Sequence, residues 1–381
     1  MKTVRKEFTD CNGRKITVTY WTLRGRRSGP TLTLIAGQHG MEHSGPCFLP
    51  ELAEELEQTD FAGTIHICPC ANPAALELDY EFYPEQENLD MIKDYYYSYF
   101  RHYYCPWGLG RMEAMTLYNM NRTWNQPGNG VAFDITRWLW REIVKPAFLT
   151  LDLHCAQNRK PFIFNDFPKN NEWVRFTGIE SSVQCFHKPD AYAAGNLNYQ
   201  ASNRPGHYSF CIEFSIQHGL KEEEYPIGKT AVKNLMVALG MTKGTVVLKR
   251  PVWAVPEDQP GTCWKAKHAG HVRFFFDTCD EAKAGDRIFE VRDFQTLEVL
   301  ETGIAPHDGI VYGLSLHPTA KPDLPLCSVV KAEKLAEAGI PLEVPRKTNG
   351  RGLTPSGRRV GAAAGFNVFP AVRKNAGGIP D

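Results

Sequence analysis

A short loop carries a histidine and a glutamate at a spacing that suits one metal ion. His39 and Glu42 lie in the segment AGQHGMEHSG, directly after an apolar run at residues 31–37. An H-x-x-E pair can direct an imidazole nitrogen and a carboxylate oxygen to the same ion, and the flanking glycines let the backbone turn tightly. His39 and Glu42 are therefore candidate metal ligands.

A third candidate ligand ends another apolar run, at residues 148–153. His154 closes the segment LTLDLH. A catalytic zinc commonly has two ligands close in sequence, a third far away and a fourth position left to water. His39, Glu42 and His154 fit that scheme, which predicts one Zn²⁺ per chain, although His154 could instead be a hydrogen-bonded residue at a strand edge. Asp152 points to the same face as His154 and could orient it from behind.

A carboxylate interrupts a fourth apolar run, FCIEFSI at residues 210–216. Burying Glu213 costs free energy unless its charge is paired or used. Beside a zinc ion, Glu213 could act as the general base that accepts a proton from metal-bound water. A buried ion pair with an arginine or lysine is the alternative.

The candidate residues follow runs that favour β-structure. Four apolar runs predict buried strands, at residues 31–37, 64–70, 148–153 and 210–216. Helical patterns lie between and after them, at residues 46–58, 131–144 and 222–239. This alternation predicts an α/β domain whose largely parallel sheet is covered on both faces. Because ligands bind at the carboxyl edge of such sheets, we expect the candidate residues to meet there.

The pattern changes near residue 240. Short strands with turns follow, which predicts an α/β catalytic domain at residues 1–240 and a smaller all-β domain at residues 241–340. Residues 341–381 have no periodicity and predict an irregular basic tail. Eight of the fifteen tyrosines lie in an insertion at about residues 79–107. A helical insertion packed on the domain, a lid over a pocket and a subunit interface all suit its aromatic content.

The composition excludes several classes of protein. Of the 381 residues, 43 are Lys or Arg and 43 are Asp or Glu, a balance that argues against a nucleic-acid-binding protein. No stretch approaches the roughly 20 apolar residues of a membrane-spanning helix, and charged residues occupy the start of the chain, where a signal peptide is apolar. Eleven cysteines without a compact framework suit reduced thiols. We therefore expect a cytoplasmic protein with a small-molecule substrate, and the aromatic insertion is compatible with a homodimer.

Four motifs together resemble one enzyme family. They are GxHGxE at residues 37–42, Asn121-Arg122 in MNRTW, DLH at residues 152–154 and the strand glutamate Glu213, in this order. The chain thus resembles the succinylglutamate desuccinylase and aspartoacylase family, a branch of the zinc carboxypeptidase-like fold. The resemblance implies a mixed sheet flanked by helices and a smaller C-terminal all-β domain. Asn119 and Met120 depart from the family's Asp-Leu before Asn-Arg, which leaves the acyl group and the amine open.

The resemblance also implies a role for each matching residue. It makes zinc ligands of three residues, namely His39, Glu42 and His154. Glu213 resembles the family's general base, and Asn121 with Arg122 resembles its substrate-binding pair, whose guanidinium can hold a carboxylate. Arg204, nine residues before Glu213, falls near a second carboxylate-binding arginine. Arg111 is a candidate to stabilise the oxyanion, although its looser spacing leaves a surface role open.

The expected reaction is the hydrolysis of an N-acyl amino acid, or of a similar small amide that bears a carboxylate, by metal-activated water. A zinc carboxypeptidase acting on peptides shares the same metal chemistry and is the nearest alternative. A metal-dependent binding protein without catalysis is the alternative from another class. Glu213 argues against a binding protein, because a binder has no need of a costly carboxylate beside the metal.

Overall fold

The computed structural model of the protein describes residues 1–11, 13–82, 120–186, 193–257 and 263–345. Nine strands precede the C-terminal region: β1 (Lys2–Thr9), β2 (Lys15–Arg24), β3 (Arg27–Ala36), β4 (Ala62–Cys70), β5 (Leu149–Cys155), β6 (Phe162–Asn165), β7 (Ser181–Gln184), β8 (Tyr208–Phe214) and β9 (Val252–Pro256). The four predicted strands correspond to β3, β4, β5 and β8. All seven residues of β5 are buried, as a strand covered on both faces requires.

Six α-helices lie within the described residues. They are α1 (Ser44–Glu57), α2 (Pro73–Phe82), α3 (Val131–Leu139), α4 (Asn171–Val174), α5 (Leu197–Ser202) and α6 (Tyr225–Ala238). A π-helical turn, Trp140–Val144, continues α3, and 3₁₀ turns lie at Met120–Arg122, Pro168–Asn170, Ala193–Gly195 and Glu222–Glu224. The three predicted helices are confirmed as α1, α3 and α6. In α1 the buried residues Phe48, Leu52 and Leu56 recur at helical spacing and face the sheet.

The C-terminal region is built from short strands. They are β10 (Cys263–Lys265), β11 (Gly270–Phe274), β12 (Glu281–Ala282), β13 (Arg287–Arg292), β14 (Val299–Ile304), β15 (Gly309–Tyr312), β16 (Thr319–Ala320), β17 (Pro325–Val330) and β18 (Glu333–Ala336). Two four-stranded sheets form, in the orders β10-β17-β15-β12 and β14-β13-β11-β16. Their shared core includes Ile288, Phe289 and Val329, all fully buried.

The main sheet has ten strands in the order β1-β2-β4-β3-β5-β8-β6-β7-β9-β18. Its centre, β4-β3-β5-β8, is parallel, whereas β1, β2, β6 and β18 each pair antiparallel with a neighbour. The parallel centre brings the carboxyl ends of β3, β5 and β8 to one edge. The predicted α/β architecture with a mixed sheet is therefore confirmed.

Two strands from beyond residue 240 belong to the main sheet rather than to the small sheets. Val252–Pro256 pairs parallel with β7, and Glu333–Ala336 pairs antiparallel with Val252–Pro256. The main sheet therefore continues past residue 240, because a strand from beyond that residue pairs with the edge of β7. Residues Met1–Val344 form one compact unit, and the division at residue 240 stays a prediction.

Two predicted segments lie largely outside the described residues. They are the Tyr-rich insertion beyond Phe82 and the basic tail beyond Pro345. Among the described residues no helix combines the length and the apolar character needed to cross a membrane.

Candidate metal centre

The candidate ligands meet at the carboxyl edge of the parallel strands. β3 ends at Ala36, and the loop after it carries His39 and Glu42. Gly37 has a φ of +64°, and a Cβ there would come within 3.0 Å of the Cys70 Cα, so glycine lets this loop turn close to β4. His154 is the sixth residue of β5. The sheet therefore brings together residues that lie more than a hundred positions apart in the chain.

The three ligands converge on one point. Nδ1 of His39 lies 2.9 Å from one carboxylate oxygen of Glu42, Nδ1 of His154 lies 2.8 Å from the other, and the two nitrogens are 3.2 Å apart. Two nitrogens bound to one tetrahedral Zn²⁺ at about 2.0–2.1 Å would lie about 3.3 Å apart. The donor set of two imidazoles and a carboxylate also suits zinc. These residues fit a single divalent cation.

The charges in the cluster favour the ionisation states in which these side chains can bind a metal. Burial opposes ionisation of Glu42, but His39 and His154 outweigh it and lower the pKa of Glu42 to about 2. Burial likewise opposes charge on His154, but Asp152 and Glu42 hold the pKa of His154 well above its usual value. Glu42 is thus a carboxylate at neutral pH. The negative charge around His154 favours either a proton on its ring or another cation beside it. A metal ion would take that place and displace the proton.

Asp152 lies directly behind His154, as its position two residues earlier predicts. Its Oδ1 is 2.8 Å from Nε2 of His154, while Nδ1 of the same ring faces Glu42. Asp152 is fully buried and His154 nearly so. A carboxylate in this position orients an imidazole ligand and strengthens its basicity.

Glu213 lies beside the cluster. It sits directly across from His154 in the pairing of β5 with β8. Its Oε1 accepts a hydrogen bond from the Cys211 thiol at 3.4 Å, whereas its buried Oε2 has no hydrogen-bond partner among the described residues. Burial raises the pKa of Glu213 to about 7. Within the described chain no lysine or arginine forms an ion pair with Glu213, so the alternative of a buried ion pair finds no partner there.

Asn121 and Arg122 approach the cluster from the 3₁₀ turn Met120–Arg122. Nδ2 of Asn121 lies 3.2 Å from Nε2 of His154, and its Oδ1 accepts the backbone N–H of Leu197 at 2.8 Å. Nη1 of Arg122 donates to the Asn121 carbonyl at 2.7 Å and to Oδ1 of Asn196 at 2.6 Å. The structure thus places the Asn-Arg pair next to the proposed ligands, with Asn196 orienting the guanidinium.

Gly195 holds this Asn-Arg turn through close backbone contact. A Cβ on Gly195 would lie only 2.0 Å from the Arg122 carbonyl oxygen, and the Gly195 carbonyl accepts the N–H of Trp124 at 3.1 Å. Neither Gly195 nor Asn196 stands out in the sequence, because both belong to a segment without a chemical motif. Only the contact between distant segments shows their role.

Substituting Gly195 by alanine should disturb both stability and substrate binding. The added methyl group must push the turn at Arg122 aside, a repacking that costs about 1–3 kcal/mol of unfolding free energy. We expect a lower melting temperature and a raised KM for a carboxylate-bearing substrate. Gly219→Ala is a suitable control for stability, because its methyl would meet only the flexible end of Ile216 at 3.3 Å. An unchanged melting temperature for Gly195→Ala would contradict the contact.

Arg204 is placed away from this edge, which corrects the expectation that it binds substrate. Its guanidinium donates to the carbonyls of Val144 and Lys145, and it lies over the Trp140 ring. These contacts lie at the amino-terminal ends of β5 and β8, and five residues of β8 separate that level from Glu213 by about 17 Å. The residues between Arg204 and Glu213 run along β8 from one end to the other, so the two side chains lie at opposite edges of the sheet. Arg111 lies outside the described residues.

Comparisons with known proteins agree with this fold. The family model described as the succinylglutamate desuccinylase/aspartoacylase catalytic domain matches residues 28–239. A succinylglutamate desuccinylase/aspartoacylase from Rhodobacter sphaeroides has 16% identity and a TM-score of 0.56, with 86% of this chain and 94% of that chain covered. An aspartoacylase family protein from Mesorhizobium loti has 18% identity and a TM-score of 0.57, with 88% and 95% covered.

A third similar structure is the ectoine utilization protein EutE (DoeB) from Ruegeria pomeroyi, in a product-bound form. It has 17% identity and a TM-score of 0.54, with 86% of this chain and 94% of that chain covered. At such identities the solved structures support the fold alone. No curated protein sequence matches the chain. Because the family model spans more than half of the chain, the protein belongs to the succinylglutamate desuccinylase/aspartoacylase family, a family of deacylating hydrolases.

Proposed function

We propose that the protein is a zinc-dependent deacylase that hydrolyses the amide bond of an N-acyl amino acid or of a similar small carboxylate-bearing amide. One observation carries this proposal. His39, Glu42 and His154 converge at one edge of the sheet, and Glu213 lies across from His154 with one carboxylate oxygen that no described residue contacts through a hydrogen bond. Metal-assisted amide hydrolysis of such a substrate requires metal ligands, a general base and a carboxylate-binding arginine in one place.

The metal would be held by Nδ1 of both histidines and by the Glu42 carboxylate. A Zn²⁺ ion at this site supplies Lewis-acid chemistry, since it lowers the pKa of a coordinated water and polarises a carbonyl. With three ligands from the protein, a bound zinc would keep room for water or substrate, as in catalytic zinc sites. Asp152 keeps the His154 ring in place behind the metal.

Glu213 supplies proton transfer. A pKa near 7 lets its carboxylate accept a proton from the attacking water and return it within the same turnover. The proton must reach the leaving nitrogen, because an amide anion is a poor leaving group. Oε2 is the atom suited to this role, since Oε1 already accepts from Cys211.

Arg122 and Asn121 orient the substrate. The Arg122 guanidinium is already directed by the Asn121 carbonyl and by Asn196, so little rotational freedom is lost when it binds a carboxylate. Arg111 remains a proposed oxyanion-stabilising residue. The chain has no formal net charge, but the positive charges of Arg122 and of a bound metal would attract an anionic substrate.

A panel of substrates tests the proposal. We expect zinc-loaded protein to hydrolyse one or more N-acyl amino acids, and a metal-free sample to regain that activity on addition of Zn²⁺. The panel includes N-acetyl, N-succinyl and N-benzoyl amino acids together with peptides that have a free C-terminal carboxylate. Hydrolysis of peptides alone would favour the carboxypeptidase, and metal binding without any hydrolysis would favour the binding protein.

Replacing Arg122 by lysine should weaken substrate binding more than it slows the reaction. Lysine keeps the positive charge but cannot form the two-pronged contact, so we expect KM to rise about 10- to 100-fold, since such a charge-assisted contact contributes about 1.5–3 kcal/mol. We expect kcat to change much less. Arg204→Lys is the matched control, because Arg204 lies at the other edge of the sheet. Equal effects of the two substitutions on KM would contradict the assigned role of Arg122.

A further inference from the structure

A buried chain of polar side chains lies behind the metal cluster. Trp124, Gln38, Asp152 and His154 are each at most 2% exposed. Nε1 of Trp124 lies 2.5 Å from Oε1 of Gln38, Nε2 of Gln38 lies 2.5 Å from Oδ1 of Asp152, and that oxygen lies 2.8 Å from Nε2 of His154. The four residues come from three different motifs and meet only in the folded chain. We call this chain the Trp124 relay.

The direction of each hydrogen bond in the relay follows from the chemistry of Trp124. An indole nitrogen only donates, so the Gln38 atom that faces it must be the carbonyl oxygen Oε1. The amide of Gln38 is thereby oriented, and its NH₂ group must face Asp152. Oδ1 of Asp152 is then the acceptor of the Gln38 N–H. Asn72 strengthens the arrangement, because its side chain donates to the Gln38 backbone carbonyl at 3.0 Å.

The acceptor oxygen Oδ1 of Asp152 determines which nitrogen of His154 carries hydrogen. Two amide groups, of Gln38 and Asn121, also lie near Nε2, each at 3.2 Å. The carboxylate is both nearer and charged, so it makes the stronger contact and requires an N–H at Nε2. Nδ1 is then the nitrogen that presents its lone pair to a cation, on the side of His39 and Glu42. The relay thus sets the tautomer that metal binding needs.

We propose that Gln38, oriented by Trp124, is a positioning residue that holds Asp152 as an acceptor and thereby keeps His154 in its metal-binding form. This inference rests on the proposed metal-dependent function. It assigns a role to the residue between Gly37 and His39 and to the tryptophan two residues after Arg122. Neither side chain belongs to the three candidate metal ligands, so both would affect metal binding only through His154.

Two substitutions at Gln38 distinguish hydrogen bonding from packing. Methionine has nearly the same size but neither donates nor accepts strongly, so it breaks both contacts of Gln38. Glutamate can still accept from Trp124, but an ionised Glu cannot donate to Asp152 and adds a second carboxylate beside it. Thr33→Val is the matched control, because Thr33 makes a buried hydrogen bond to the Ile143 carbonyl at 2.7 Å, away from the metal cluster.

The measurements are the Zn²⁺ dissociation constant of the metal-free protein, obtained by chelator competition, and ¹⁵N–¹H spectra of the histidine rings and of the Trp124 indole. For Gln38→Met and Gln38→Glu we expect zinc binding about 10- to 100-fold weaker, the usual cost of losing a residue that supports a metal ligand. Wild-type, zinc-loaded protein should show hydrogen on Nε2 of His154. The Trp124 indole signal should move in Gln38→Met. Thr33→Val should change stability but not zinc affinity.

Each failure has a different meaning. If wild-type protein does not bind zinc, the proposed function is wrong. If wild-type protein binds zinc and both Gln38 variants, still folded by circular dichroism, bind it equally well, the relay has no positioning role and the proposed function stands. If the zinc-loaded protein carries hydrogen on Nδ1 instead of Nε2 of His154, the tautomer assignment is overturned.

Discussion

Replacing Glu213 by glutamine is expected to lower kcat by about 10²–10⁴-fold, the usual contribution of a general base. Glutamine fills the same space and keeps an oxygen beside Cys211, but it cannot accept the proton of the attacking water. The measurement is kcat and KM of zinc-loaded protein on the best substrate of the N-acyl amino acid panel. Bound zinc, measured by atomic emission, should stay at the wild-type level because Glu213 is not among the three ligands.

Glu223→Gln is the control for this substitution. Glu223 is an exposed carboxylate ten residues further along the chain, in the 3₁₀ turn Glu222–Glu224. Its loss changes the net charge by the same amount without touching the cluster. A Glu213→Gln protein that keeps its zinc and hydrolyses the substrate at the wild-type rate would rule out Glu213 as the base.

The same substitution should stabilise the metal-free protein. The folded-state pKa of Glu213, about 7, lies above the ordinary value of 4.5, so the folded state holds a proton that the unfolded state has lost. Stability therefore falls as the pH rises from about 4.5 to about 7, because the folded state then binds more protons than the unfolded state. We expect metal-free Glu213→Gln to melt at a higher temperature than metal-free wild type at pH 8. Activity lost and stability gained together identify a carboxylate kept for function.

Replacing His154 by alanine is the other change from which we expect a large effect. It removes the ligand that joins Glu42 to Asp152 and leaves only His39 and Glu42 for the ion. We expect the bound metal to fall from one ion per chain to a small fraction and kcat/KM to fall at least about 10³-fold, several kcal/mol of transition-state stabilisation. The two measurements are metal content after dialysis and hydrolysis with added Zn²⁺.

Folding must be checked, because removing His154 leaves the buried Glu42 and Asp152 with one charge partner fewer. His39→Ala provides a second variant at a more exposed position, with 17% of its side chain accessible. It should lose metal in the same way. His43→Ala is the control, since His43 follows Glu42 directly but does not belong to the cluster. Full metal content in a folded His154→Ala protein would show that the cluster is not the metal site.

Local patterns predicted the elements of the fold well. Residues 148–153 and 210–216 correspond to β5 and β8 because a short, mostly apolar run suits a strand that is covered on both faces. The hairpin of β1 and β2 and the place of β9 and β18 in the main sheet were not predicted. Strand pairing depends on which edges remain open after the rest of the chain folds, and a single sequence carries little information about that.

The candidate site likewise has some features that the sequence predicted and others that it did not. The meeting of His39, Glu42 and His154 was predictable because the turn after β3 carries the first two, and because a parallel sheet brings the ends of β3 and β5 together. Arg204 was assigned by its distance in sequence from Glu213, and the strand between them carries the two residues to opposite edges. Arg122 was singled out by its motif, whereas its hydrogen-bond partner Asn196 was not.

By itself, the sequence provided the candidate residues, namely two histidines, two glutamates and an Asn-Arg pair in motifs that resemble those of a family of deacylating hydrolases. Only the tertiary structure decided which atoms of these residues face one another at the candidate metal site. The proposed tautomer of His154 rests on Asp152, Gln38 and Trp124, whose contacts cross three segments of the chain. The physical reason is that ligand type is a property of a residue, whereas the direction of a buried hydrogen bond is a property of all the groups that surround it.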